Sequence, residues 1–163
     1  LRMPGWEYGA AGVYFVTICT AGRRKWLSEV KGSSVVLLPP GQTVFDEWER
    51  TATIRPYVKL DRRVVMPDHF QAIIWIAQSI GDSLTGEPSN RTLGTIIGQF
   101  KAVCTKTIRE VHSAEFGWQR GYYDVTIRGW SALDNARSYI EENPRKWPHP
   151  TTQPTVRCAA RPL

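Results

Sequence analysis

Two pairs of residues in the chain have the types and spacing for metal-assisted nucleophilic chemistry. In "PDHFQAIIWI" the residues His69 and Gln71 stand two apart in a run with the look of a β-strand. Alternate residues of a strand point to one side, so His69 and Gln71 share a face and Phe70 and Ala72 take the other. Their Cα atoms should lie ~6–7 Å apart, and an imidazole nitrogen and an amide oxygen can both ligate a divalent cation. In "SYIEENPRKW" the residues Tyr139 and Asn143 stand four apart on a helical pattern, one turn apart on one face. A hydroxyl nucleophile therefore neighbours a second neutral oxygen ligand. Taken singly, each pair has a plainer reading: a hydrogen-bonded strand end, and a tyrosine at a core edge followed by an asparagine before proline.

The elements that must position these residues follow from the surrounding pattern. "GVYFVTICT" is a β-rich run, followed by the basic loop "AGRRKWL". Val44, Phe45, Trp48 and Ile54 in "GQTVFDEWERTATI" give helical spacing. "RPYVKLDRRVVM" reads as a strand that turns at Met66-Pro67-Asp68 into "HFQAIIWI". "AQSIGDSLTGEPSN" has the composition of a loop. Leu93–Glu110 is the clearest helix: Leu93, Ile96, Ile97, Phe100, Val103, Cys104 and Ile108 fall on one arc, and Lys101, Thr105, Lys106 and Arg109 on the other. That basic arc is either a solvated face or a surface for DNA phosphates. "WQRGYYDVTIR" should be a loop feeding a short strand. Ser131, with Asp134 three residues on, should cap a helix whose apolar side is Leu133, Ala136 and Ile140 and which Pro144 stops. The proline-containing tail from about residue 148 is expected to be loose. The interleaved strands and helices, with a hairpin among them, predict an α+β domain around a mainly antiparallel central sheet flanked by helices.

Composition sets the frame. The 163 residues, 42% hydrophobic and 22% charged, suit one domain with a sizeable core and exclude wholesale disorder. No apolar run approaches the ~20 residues of a membrane span, and no basic-then-apolar leader opens the sequence, so a cytoplasmic protein with no membrane partner is expected. Cys19, Cys104 and Cys158 have no metal or redox spacing and read as reduced thiols. A net charge of +6 beside seven Trp and six Tyr is compatible with a polyanionic partner, without demanding one.

Together, "YFVTICTAGRR", "VVMPDHFQAIIWI", "TLGTIIGQFKAVCTKTI", "WQRGYYDVTIR" and "ARSYIEENPRKW" resemble, in order and spacing, the REP-associated tyrosine transposases, single-tyrosine HUH transposases of small bacterial insertion sequences. The resemblance runs from about Tyr14 to Trp147. It implies one HUH-type, ferredoxin-like domain over residues 1–163, and a bacterial, nucleoid-associated enzyme of a mobile element. Such an enzyme nicks and joins single-stranded DNA beside a hairpin or palindromic repeat. It implies Tyr139 as catalytic nucleophile, forming a 5′-phosphotyrosine link, and His69, Gln71 and Asn143 as ligands of Mg²⁺ or Mn²⁺. Lys101, Lys106, Arg109, Arg120 and Arg128 are the expected DNA-backbone contacts. The pattern departs at three places: Gln71 stands where the family has a second His, Asp68 where Asn is common, and Val125 where His is frequent. A cleavage-deficient DNA-binding protein of the same fold is therefore the alternative, and both monomer and homodimer stay open.

Overall fold

The computed structural model describes residues 12–77 and 92–147. The expected loop at 77–90 (beyond Ala77) and the tail from 148 lie outside the described residues. Four strands, β1 (Gly12–Cys19), β4 (Val58–Val65), β5 (His69–Ile76) and β6 (Tyr123–Thr126), form one sheet in the order β4-β5-β1-β6, with every neighbouring pair antiparallel. With the helices α1 (Pro39–Thr53), α2 (Leu93–Val111) and α3 (Trp130–Glu142), this is an α+β fold.

The two faces of the sheet carry separate cores. On one, Val16, Ile18, Phe70, Ala72, Ile74 and Ile76 pack against Val44 and Trp48 of α1 and against Leu93, Ile96, Ile97, Phe100, Cys104 and Ile108 of α2. On the other, Val13, Ile73, Trp75 and Ile127 pack against Leu133, Ile140 and Ala136 of α3. All eight residues of β5 are buried, as expected for a central strand covered on both faces.

Local sequence explains most element boundaries. Pro39 opens α1, where a missing N–H costs nothing. The Thr92 hydroxyl accepts from the backbone N–H of Thr95 at 3.2 Å and caps α2. Val103, expected in the apolar arc of α2, is 41% exposed, because the arc buried against the sheet is narrower than the wheel suggests. The expected Ser131 cap is also corrected: α3 begins at Trp130, and Gly129 with φ 91° stands at the cap position without a side-chain cap bond. That backbone angle suits glycine and lets the chain swing from β6 into the helix. A hairpin of β2 (Ser28–Lys31) and β3 (Ser34–Leu37) was not anticipated. Gly32, φ 65°, takes the first place of its two-residue turn. Among the described residues no helix is long and apolar enough to cross a membrane.

Candidate active site

His69, Gln71, Ile73 and Trp75 alternate along β5 toward α3. Their register partners on β1 are Cys19, Thr17, Phe15 and Val13. Because Leu133, Ala136 and Ile140 seat α3 on this face, the end of the helix arrives over Gln71. The amide Nδ2 of Asn143 donates to Gln71 Oε1, and Gln71 Nε2 donates to Thr17 Oγ1 at 3.2 Å. Two residues 72 positions apart in sequence thus meet through their amides. Asn143 is 2% exposed, and its Oδ1 is buried with no hydrogen-bond partner. An acceptor left so costs roughly 1–3 kcal/mol, which a cation at that oxygen would offset.

His69 is held from behind. Its Nδ1 lies 2.7 Å from Asp68 Oδ1, and the other carboxylate oxygen accepts from Arg23 Nε at 3.0 Å. The Thr20 hydroxyl donates to the Asp68 carbonyl at 3.0 Å, and Arg23 Nη1 reaches Cys19 Sγ at 3.0 Å. Burial pushes the Asp68 carboxyl up, but the His69 bond, the His69 charge and Arg23 outweigh it and hold the group below the ordinary carboxylate value. An ionised Asp68 favours a proton on Nδ1, so a neutral ring would present Nε2 as its lone-pair nitrogen. This carboxylate–imidazole arrangement is the one that orients histidine ligands at metals.

His69 Nε2, Gln71 Oε1 and Asn143 Oδ1 form a donor set that fits a hard divalent cation: one imidazole and two neutral oxygens, one of them lacking any partner. Among the described residues no three His, Cys, Asp or Glu side chains group as a metal site, so a cation here would rest on amide oxygens.

Tyr139, one helical turn before Asn143, is 48% exposed, and its ring meets Phe15 edge-on at 5.9 Å. Its hydroxyl is thus carried on a packed helix yet open to a polymeric substrate. Two other tyrosines, Tyr122 and Tyr123, are half-buried. Tyr122 packs against the core on the far face of the sheet.

The five basic residues do not form one surface around this site. Lys101 is engaged within the protein: its ammonium donates to the Gln119 carbonyl at 2.8 Å and the Gly121 carbonyl at 2.7 Å, tying the loop before β6 to α2. Burial lowers its pKa. Arg109 is exposed but uses Nε on the Phe116 carbonyl at 2.7 Å. Lys106, Arg120 and Arg128 are exposed. Lys106 and Arg109 ride on α2, across the sheet from Tyr139; Arg128 stands just before α3, on the tyrosine side. Sequence reasoning treated Asp68 only as a departure from a pattern and missed it as the support of His69. The signal was the direct adjacency of Asp and His.

No protein-family model matches the chain. An uncharacterised protein of Haemophilus influenzae strain Rd is 28% identical over 158 residues, covering 90% of this chain and 88% of its own. Two solved structures are similar in fold. One is a REP-associated tyrosine transposase bound to a REP hairpin, with TM-score 0.59 and 20% identity, over 83% of this chain and 67% of that one. The other, a candidate transposase of Deinococcus radiodurans R1, has TM-score 0.51 and 15% identity, over 87% of this chain and 96% of that one. The two-faced α+β sheet that brings the end of the Tyr139 helix to Gln71 is therefore a fold that this chain shares with both of those structures.

Proposed function

We propose that the chain is a tyrosine transposase of the REP-associated kind, a site-specific endonuclease and strand transferase for single-stranded DNA beside hairpins, working in the bacterial cytoplasm. One observation carries the reading: the helix bearing Tyr139 docks so that Asn143 meets Gln71 two residues along the strand from His69. Two pairs that are unremarkable singly become one site.

In this reading the Tyr139 oxygen attacks the scissile phosphorus. The phosphorus–oxygen bond to the 3′ side breaks, the phosphate becomes a 5′-phosphotyrosine ester, and the departing 3′ oxygen takes a proton. Attack by another 3′-hydroxyl reverses the exchange and joins strands; the ester conserves the phosphodiester energy, so no nucleotide cofactor is required. Mg²⁺ or Mn²⁺ held by His69, Gln71 and Asn143 would supply Lewis-acid polarisation of the phosphate. Asp68 keeps the His69 nitrogen aimed, Thr17 keeps the Gln71 amide aimed, and α3 carries the nucleophile. Lys106, Arg109, Arg120 and Arg128 supply sequence-independent phosphate contacts.

A DNA-binding protein without cleavage is the second reading. The observation that favours it is the direct Asn143–Gln71 bond, which engages the oxygen that would otherwise ligate. One experiment separates the two. A labelled single-stranded hairpin is incubated with protein and Mg²⁺ or Mn²⁺ and run on a denaturing gel. A covalent band that Tyr139→Phe abolishes supports the enzyme. Hairpin binding without any band supports the second reading.

A further inference from the structure

Strand β4 is irregular at one place. Its pairing with β5 runs Leu60↔Ile74 and then Arg63↔Ala72, so Asp61 and Arg62 together oppose the single residue Ile73. In a regular strand these neighbours would point to opposite faces. Here both reach the same helix. Asp61 Oδ1 accepts from Arg137 Nε at 2.9 Å and Oδ2 from Arg137 Nη2 at 2.6 Å, a two-point fork. The Trp75 indole N–H donates to Oδ2 at 3.0 Å, and the Arg62 backbone N–H to Oδ1 at 2.8 Å. Arg62 Nε in turn reaches Glu141 at 2.7 Å. Asp61 is nearly covered, whereas both partners in the Arg62–Glu141 pair are well exposed. Exposed pairs contribute little, so the buried fork is the contact that holds.

We infer that this bulge and the Asp61–Arg137 fork are a positioning device for the nucleophile. The inference rests on the reading of Tyr139 as that nucleophile. The apolar contacts of Leu133, Ala136 and Ile140 press α3 onto the sheet, but non-directional contacts tolerate sliding and rotation. A bidentate guanidinium–carboxylate pair tolerates neither. Arg137 precedes Tyr139 by two residues and Asn143 by six. A one-residue slip at Arg137 would move the tyrosine ~1.5 Å along the axis and turn it ~100°. A displacement of that size costs on the order of 100-fold in rate when it misaligns reacting atoms. Bulges recur beside active sites because they re-aim a side chain without interrupting the sheet. Here the bulge re-aims Arg62, while Arg63 returns to the other face and pairs with Glu49 of α1.

Arg137→Lys keeps the cation and loses the fork; Asp61→Asn keeps the shape and loses the charge. Two readouts are taken on each. Hydrogen exchange compares α3 amides with those of α1 and α2, and single-turnover adduct formation is measured at saturating labelled hairpin, with hairpin affinity measured beside it. The expected result is selective loss of protection in α3 and a roughly 10- to 100-fold slower adduct step with hairpin affinity unchanged. An active wild type whose Arg137→Lys and Asp61→Asn variants form adduct at the wild-type rate would overturn the positioning role alone. So would unchanged α3 protection. No adduct in wild type, or an adduct surviving Tyr139→Phe, would instead defeat the reading of Tyr139, and the positioning role with it.

Discussion

Gln71→His tests the metal-ligand face most directly. In the structure the Gln71 amide does two jobs, accepting from Asn143 and donating to Thr17. Imidazole has two ring nitrogens as well, but they sit on a rigid ring rather than on the end of a flexible amide, so a ring turned to Thr17 leaves Asn143 Nδ2 without its acceptor. Without metal the variant should therefore be less stable by about 1–2 kcal/mol, the cost of one buried hydrogen bond and its stranded partner. In a chain of this size that lowers Tm by roughly 2–8 °C. With Mn²⁺ the balance reverses, because imidazole is the better donor for a transition metal. If affinity rises tenfold, Mn²⁺ at 100 times the variant's Kd stabilises the variant by about 2.7 kcal/mol and wild type, at 10 times its own Kd, by about 1.4 kcal/mol. The difference of about 1.3 kcal/mol offsets most of the metal-free loss. Melts with and without Mn²⁺, Mg²⁺ melts as the comparison, and calorimetric titration measure each part. Equal Mn²⁺ stabilisation in the two proteins would refute the ligand assignment, since Gln71 would then face no cation.

Tyr139→Phe should abolish the covalent adduct while changing stability by no more than about 0.5 kcal/mol, because the ring is half-exposed and its contact with Phe15 survives; melts and the denaturing gel check both halves. Alanine at Lys106, Arg120 and Arg128 should weaken hairpin binding and flatten its salt dependence, whereas Lys101→Ala should leave the salt slope unchanged and cost about 1–3 kcal/mol through its two lost carbonyl bonds. Fluorescence-anisotropy titrations over a salt series distinguish the two classes, and an Lys101→Ala variant with normal stability and a reduced slope would make Lys101 a DNA contact instead. For Asp61, burial raises the carboxyl pKa, but the Arg137 bond, the Arg62 and Trp75 N–H groups and the Arg137 charge outweigh it and hold the value below 3.8. A depressed carboxyl stabilises above its unfolded pKa and loses that contribution as pH falls through the folded one. Wild type should thus lose α3 docking as pH falls below the ordinary carboxylate range, and Asp61→Asn should show a shallower acid limb in urea melts taken across that range.

The parts of the fold legible in sequence were those where periodicity reports burial directly. β5 runs His69–Ile76 as expected, because a strand covered on both faces is apolar nearly throughout and its two polar residues sit at the end nearer the turn. The helix at Leu93 was legible for a similar reason. The carbonyl partners of Lys101 were not legible, because a helical wheel shows which side chains leave the core but not what covers them; Gln119 and Gly121 reach it only through tertiary packing. The Ser131 cap failed because Gly129 turns the chain two residues earlier. The β2–β3 hairpin was missed although "KGSS" supplies turn residues, because its flanking strands are only four residues long and half-exposed. At the site, alternation put His69 and Gln71 on one face, but no local pattern links Arg137 to Asp61.

The charge arrangement at the site bears on when a cation would bind. None of its three candidate donors is an acid. The one ionised acid beside them, Asp68, is matched by Arg23 on one oxygen and the His69 N–H on the other, so its negative charge is largely balanced before any cation arrives. Oxygen ligands for Mg²⁺ gain most when they are anionic, and such sites commonly complete their shell with substrate phosphates. A scissile phosphate would bring the missing negative charge, which makes cation and DNA mutually dependent: each should bind more tightly in the presence of the other, and by the same factor. The exposure pattern agrees. His69, Gln71 and Asn143 lie at 2–6% exposure, while Tyr139 stays 48% exposed; on the proposed reading, what must be rigid is buried and what must meet a long polymer is open. Free protein would then carry an aligned but weakly loaded site, and the DNA strand that reaches Tyr139 would itself complete the cation's shell.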